Sequence, residues 1–246
     1  SFNQCFAGCL KLAAIPSGFF DACVNATNFR RVFSDWKVLA SIPSGLFSKN
    51  TKATSFIGSF GSYSYSGSMP SYNGVQGSFW GSDNTALTSI PANLFTTCTL
   101  AESFESTFKG CTALLAVPSG LFSKCTVATS FAYTFSGCTS LRTIPSGLFD
   151  YNPDVTTFSN TFYNCSSLQS IPSGLFSNNT KTTTFNSTFY NCSTLQAIPS
   201  GLFNNTPNVT TFYSMFSGCS NIRAIPSGLF NNTTEVTCGA ATSTRR

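Results

Sequence analysis

The residues best able to do chemistry in this sequence are its cysteines, because it contains no histidine. The chain has 246 residues, with 11 Cys, eight Asp and Glu residues together, and no His. Catalytic triads, zinc sites and general bases that work near neutral pH usually depend on His. The closest carboxylate pairs are Glu102/Glu105 and Asp150/Asp154, and neither pair recurs in the neighbouring repeats. We therefore predict that the protein is not an enzyme, has no catalytic residues, and binds no metal or cofactor.

Six of the cysteines occupy one position of a repeat, which favours a structural role. They are Cys9, Cys111, Cys138, Cys165, Cys192 and Cys219. Metal sites need paired ligands, and no Cys-x-x-Cys motif occurs, so we interpret this column as small buried apolar side chains. Cys98 and Cys125 share a second column in adjacent repeats, and a disulfide between them stays an alternative. The odd total excludes complete pairing within one chain.

The best candidates for ligand binding are aromatic residues in a segment rich in Tyr, Ser and Gly, residues 61–81. Such residues dominate adaptable binding loops, and their rings can stack on sugars or dock on a protein. The predicted binding residues are Tyr63, Tyr65, Tyr72 and Trp80. A passive loop whose aromatics lie against the rest of the protein is the alternative.

These candidates belong to a chain built from an internal repeat. The phrase Ile-Pro-Ser-Gly, or a close variant, recurs every 27 residues, except for one interval of 48 that contains residues 61–81 as a 21-residue insertion. Eight repeats begin at Phe2, Phe29, Phe56, Phe104, Phe131, Phe158, Phe185 and Phe212. One repeat is too small to bury its own core, but stacked repeats form a continuous core. We therefore predict a single solenoid over residues 1–246, with 61–81 as an inserted loop, and expect it to be part of a longer chain.

The apolar spacing within one repeat predicts a short helix. Phe158, Phe162 and Cys165 follow the i, i+4, i+7 pattern, and Thr156 and Thr157 precede them as good N-cap residues. The residue before the Cys is Gly or Asn in most repeats, which indicates a left-handed backbone at the C-cap. These residues are Gly8, Gly110, Gly137, Asn164, Asn191 and Gly218.

The second half of the repeat predicts a brief strand and a turn. Leu168 and Ile171 are apolar and too close together for a helix, and Pro172-Ser173-Gly174 has the composition of a turn. We expect Pro at the second turn position and Gly at the fourth. Asn93 replaces this Gly in one repeat, which indicates a positive φ there. The resulting fold class is an α/β repeat solenoid whose units contain a short strand, a turn, a loop and a short helix.

Two segments resemble a known family of repeats. Residues 161–172 (TFYNCSSLQSIP) and 215–226 (MFSGCSNIRAIP) resemble BspA-like leucine-rich repeats of surface proteins, with a Phe-x-x-Cys-x-x-Leu-x-x-Ile core and a Pro after the strand. The regular Ser-Gly-Leu-Phe extension and the insertion depart from that pattern. The resemblance implies a leucine-rich-repeat-like, non-enzymatic, extracellular protein with a role in adhesion or recognition. It implies no catalytic or ligand residues.

Charge and hydrophobicity limit the partners. The net charge is +5, the basic residues are dispersed, and no apolar run could span a membrane, so we expect neither nucleic-acid binding nor membrane insertion. A column of threonines, of which Thr156 and Thr183 are members, is interpreted as helix caps, with an ice-binding surface as the alternative. Buried ladder packing is expected for a second column, Thr107, Thr134, Thr161 and Thr188. The small, uncharged residues flanking the strand suit a repetitive partner, such as a glycan, or another copy of the chain.

These observations lead to two functional hypotheses. The first is an extracellular adhesion or recognition module, on a cell surface or virion, that binds a host-surface protein or glycan through a rigid repeat scaffold. The second is a structural subunit or decoration of a fibre, phage particle or surface layer, with self-association end to end or side by side.

Overall fold

Contacts between successive repeats define the architecture. The computed structural model describes residues 1–62 and 83–233, and this part of the chain contains neither a helix nor a strand longer than a single bridge. Its regular pairing consists of isolated parallel bridges, all of which join equivalent positions of adjacent repeats. They are Asn28↔Ser55, Ser55↔Ser103, Asn84↔Cys111, Ser103↔Ser130, Ala116↔Thr143, Ser130↔Thr157, Thr157↔Thr184 and Thr184↔Thr211. The predicted repeat fold is therefore confirmed.

The predicted short helix is wrong, because residues 158–165 form two successive four-residue turns instead. The Thr161 N–H donates to the Phe158 carbonyl at 3.1 Å, and the Cys165 N–H donates to the Phe162 carbonyl at 3.2 Å. The third residue of each turn is left-handed, with φ of 59° at Asn160 and 60° at Asn164. A positive φ at this position is the signature of a type II turn. We call this segment the tandem turns.

The tandem turns satisfy their backbone without a helix. The N–H groups of Phe158, Asn160, Phe162 and Asn164 donate to carbonyls of the following repeat at 2.7–3.2 Å. The N–H groups between them close the turns or, at Ser159, donate to the Thr157 hydroxyl. Buried backbone must find partners, and this alternation supplies them along the whole segment.

The expected strand at residues 168–171 is also absent. Gln169 donates its N–H to the Arg142 carbonyl at 3.1 Å, and the neighbouring amides make no comparable ladder. The turn that follows is shifted from the prediction by one position. The Leu175 N–H donates to the Pro172 carbonyl, so Pro is the first residue and Gly174, with φ of 73°, is the third.

Asn93 does not adopt the positive φ that we predicted for it. Its side-chain oxygen instead accepts hydrogen bonds from the Ser44 hydroxyl and the Gly45 N–H. The polar side chain thus stabilises the neighbouring repeat rather than a left-handed backbone.

Stacked phenylalanines form the core. Phe162 lies between Phe135 and Phe189, with ring centroids 5.7 and 5.5 Å away. Phe158 and Phe185 stack in the same way at 5.6 Å. Each ring therefore contacts its equivalents one repeat away on both sides, which makes the core continuous along the solenoid.

Buried threonines and cysteines bind the carbonyls that the turns leave facing the core. The Thr161 hydroxyl lies 2.7 Å from the Phe158 carbonyl and 2.9 Å from the Phe131 carbonyl. The Cys165 thiol donates to the Phe135 carbonyl at 3.2 Å. The structural interpretation of both columns is confirmed.

The exposed threonine column does not cap helices, contrary to our interpretation. The Thr156 hydroxyl donates to the Thr129 carbonyl at 3.2 Å, and the Thr183 hydroxyl donates to the Thr156 carbonyl at 3.1 Å. Each threonine therefore ties its own repeat to the preceding one. The ice-binding alternative stays untested.

Candidate functional site

The predicted binding residues Tyr63, Tyr65, Tyr72 and Trp80 lie outside the described residues, so their binding role stays a prediction. The structure does describe the two points where their segment leaves and rejoins the solenoid.

The insertion begins within the tandem turns of its repeat. Gly61 and Ser62 occupy the positions of Tyr163 and Asn164, and the Ser62 N–H donates to the Lys109 carbonyl at 2.6 Å. On the other side, Asn84 occupies the cysteine position and forms a parallel bridge with Cys111. The insertion therefore separates two positions, those of Ser62 and Asn84, that are adjacent in every other repeat.

Gly110 in the next repeat makes room for these two ends. A Cβ at Gly110 would overlap the Asp83 carboxylate and the Ser62 hydroxyl, and the φ of 71° also favours glycine. Ser62 and Asp83 therefore lie together over Gly110, which fixes where the insertion leaves the solenoid.

The same surface column carries a stacked tyrosine pair. We call the column the turn face and define it by Gly61, Lys109, Ser136, Tyr163, Tyr190 and Ser217. The rings of Tyr163 and Tyr190 lie 4.8 Å apart and are parallel to within 4°. Beside them, the Asn191 side-chain amide donates to the Asn164 side-chain oxygen at 2.6 Å.

One cation also lies on the turn face. The Lys109 ammonium is 5.4 Å from the ring centroid of Tyr133, a cation–π distance. The turn face and the Asn164/Asn191 pair beside it therefore combine aromatic rings, amides and hydroxyls with little charge, which suits a neutral polar ligand.

Tyr163 and Tyr190 are not among the binding residues predicted from the sequence. The signal was present, because the triplet Tyr-Asn-Cys occurs at 163–165 and again 27 residues later. Placing that segment on a helix hid the fact that its polar residues stack directly above one another.

Most of the described cysteines are buried thiols of the core. Ten of them are free thiols there, Cys98 and Cys125 included, so the alternative disulfide is absent from this structure. Burial raises the pKa of the Cys98 thiol to about 12, and it raises the pKa of the Cys165 thiol well above its ordinary value. Neutral buried thiols are poor nucleophiles.

Neither a metal site nor a membrane span is found in the described part of the chain. No group of three or more His, Cys, Asp or Glu side chains lies close enough there to hold a metal ion. Residues 1–62 and 83–233 also contain no helix long and apolar enough to cross a membrane.

Comparisons with known proteins give leucine-rich repeat proteins as structural neighbours. No protein-family model matches the chain, and no curated protein matches it. The LRIM1/APL1C complex is similar at 19% identity and a TM-score of 0.40, over 53% of this chain and 22% of that one. A leucine-rich repeat protein from Eubacterium ventriosum has 22% identity and a TM-score of 0.35, over 60% of this chain and 34% of that one.

A bacterial surface protein is also among the neighbours. A leucine-rich cell surface protein from Faecalibacterium prausnitzii has 18% identity and a TM-score of 0.29, over 94% of this chain and 71% of that one. This chain spans about a fifth of the length of its match in the LRIM1/APL1C complex and about a third of the length of the Eubacterium protein. TM-scores of this size do not establish a shared function.

Proposed function

We propose that this chain is a non-enzymatic recognition module that binds a surface glycan or protein through the turn face, in an extracellular or surface-attached setting. The observation that carries the proposal is that the insertion begins, at Gly61, in the same column of the repeat as the Tyr163/Tyr190 pair. A binding loop and an ordered aromatic pair then face the same partner.

The scaffold suits this role because its turns are held rigidly. The backbone of the tandem turns is hydrogen-bonded to the next repeat, and the Phe rings below them stack along the core. Binding residues are commonly carried on loops that a rigid framework positions. The Tyr-, Ser- and Gly-rich composition of residues 61–81 is typical of such loops.

The repeat also sets the spacing of the contacts. Equivalent side chains recur one repeat apart along the turn face, as the 4.8 Å between the two tyrosine rings shows. A partner with its own repeating units could then make several weak contacts at once, and these add up through multivalency.

The test is a deletion that preserves the repeat. Removing residues 61–81 joins Phe60 to Ser82 and restores the interval of 27 residues. Asp83 then takes the left-handed position that Asp35 occupies with a φ of 63° in the preceding repeat. We expect the deletion to keep the thermal unfolding transition and to abolish binding on glycan arrays and to whole cells.

A matched control separates the aromatics from the loop itself. A full-length variant with Ser in place of Tyr63, Tyr65, Tyr72 and Trp80 should lose binding to the same degree as the deletion. Unchanged affinity in the deletion variant, with the fold intact, would contradict the proposal.

The second candidate is a structural role, and the near-identical repeats with few charged residues favour it. Filaments or lattices in negative-stain micrographs of the full-length protein would support this role, and separate particles would oppose it.

A further inference from the structure

We propose that the open face of the Tyr190 ring is a stacking site for one neutral pyranose ring. This inference deepens the recognition function proposed above and rests on it.

The tyrosine stack ends at Tyr190. Tyr163 covers one face of the Tyr190 ring at 4.8 Å, but in the following repeat the turn face has Ser217 where a third tyrosine would stand. Gly218 likewise takes the place of Asn191, and both Ser217 and Gly218 are exposed. The surface therefore drops by one ring and one amide between these repeats, and we call this drop the step.

The opposite end of the stack is more enclosed than the step. Ser136 stands next to Tyr163 in the preceding repeat and is only 4% exposed. The two ends thus differ, although both carry serine at the same position. The accessible ring face is the one that points towards Ser217.

Polar groups border the step in the arrangement that a sugar requires. The Asn191 amide nitrogen is already bonded to Asn164, which leaves its side-chain oxygen as an acceptor. That oxygen lies over Gly218, since a Cβ there would be 3.0 Å from it. A pyranose ring could place its C–H face on Tyr190, and one of its hydroxyls could donate a hydrogen bond to the Asn191 side-chain oxygen. The Ser217 hydroxyl offers a further hydrogen-bond partner.

The charge around the step selects a neutral sugar. Residues 186–193 and 213–220, which form the turns on both sides, contain no Asp, Glu, Lys or Arg. A sulfated or carboxylated sugar would find no cation there. An aromatic side chain of a protein partner could stack on Tyr190, but it would leave Asn191 and Ser217 unused.

The experiment is saturation-transfer NMR on the intact chain with methyl glycosides of glucose, galactose and mannose. We expect at least one to bind, and we expect Tyr190→Ala to weaken it at least tenfold. Ser217→Tyr should fill the step with a third ring and abolish binding without lowering the melting temperature. Tyr151→Ala removes an exposed tyrosine in another column and should leave the affinity unchanged.

The outcomes separate this inference from the function on which it rests. Glycoside binding that survives both Tyr190→Ala and Ser217→Tyr would overturn the step, as would binding of an aromatic peptide but of no glycoside. If the protein binds surfaces through residues 61–81 but binds none of the three glycosides, the step alone is wrong. If it binds neither, both proposals are wrong.

Discussion

Two stretches of the same repeat, residues 158–165 and 168–171, both contribute to the core but pair differently with their neighbours. In the first, four N–H groups donate to the following repeat, and the remaining ones close turns or bind a hydroxyl. In the second, the Gln169 N–H bonds to the preceding repeat, while the N–H groups of Ser170 and Ile171 have no partner in the described chain. Turns, rather than strands, therefore supply most of the backbone hydrogen bonds between these repeats.

The largest effect on stability is expected when one core side chain is removed from each stretch. Phe162→Ala should lower the free energy of unfolding by about 3–5 kcal/mol, because Phe162 stacks on rings in both adjacent repeats. Leu168→Ala should cost about 2–5 kcal/mol, since Leu168 is equally buried but smaller. Urea denaturation measures both values, and a clearly larger loss for Leu168 would reverse the comparison.

A second test removes one threonine hydroxyl from the tandem turns and another from outside them. Thr161→Val removes a buried hydroxyl that bonds the carbonyls of Phe158 and Phe131, and we expect a loss of about 0.5–1.5 kcal/mol. The loss is modest because both carbonyls keep a turn N–H and another threonine hydroxyl as donors. Thr194 is the matched control, because its hydroxyl also bonds two carbonyls, those of Ser166 and Leu168. Thr194 is only partly buried, so water can replace its hydroxyl in Thr194→Val. Equal losses of stability in the two variants would show that Thr161 is no better shielded from water than Thr194.

A third test concerns the left-handed position. Asn164 has a φ of 60°, so Asn164→Ala should be less stable than Asn164→Gly by about 1–2 kcal/mol. Both variants lose the side-chain bond to Asn191, and their difference therefore isolates the backbone conformation. Equal melting temperatures would contradict a left-handed turn at this position.

The smallest expected effect near neutral pH is that of the buried thiols, which appears only in alkali. Burial raises the pKa of the Cys165 thiol above its ordinary value of 9.0, so the folded state keeps a proton that the unfolded state loses. The contribution is fully present below pH 9 and decreases above it, by about 1.4 kcal/mol per pH unit for one thiol. Relative to Cys165→Ala, the wild type should lose stability between pH 9 and 10.5. Parallel curves would mean that the thiol is hydrated.

Much of this architecture was predictable from the sequence. The 27-residue period identified the repeats, and the Phe, Cys and Thr columns identified the core, because burial restricts these positions in every repeat. The Gly and Asn column also predicted the left-handed residues correctly, as the φ values of Gly137 and Asn164 show. These features depend on side-chain size or on backbone sterics, which composition records directly.

The helix could not be excluded from the sequence, because four-residue turns in tandem repeat their apolar residues at the same spacing. Phe158 and Phe162 lie on one side in either structure. The second left-handed column is occupied by residues as different as Arg31, Ser106 and Tyr133, so it left no compositional signal. The step beside Tyr190 was equally hidden, since it exists only once the repeats are stacked.

Amide hydrogen exchange of the native protein compares the two stretches residue by residue. We expect the amides of Phe158, Asn160, Phe162 and Asn164 to exchange slowly and those of Ser170 and Ile171 to exchange much faster. The equivalent amides of the following repeat should show the same contrast. Fast exchange throughout the tandem turns, or protection of Ser170 and Ile171 equal to theirs, would contradict the conclusion that turns join the repeats.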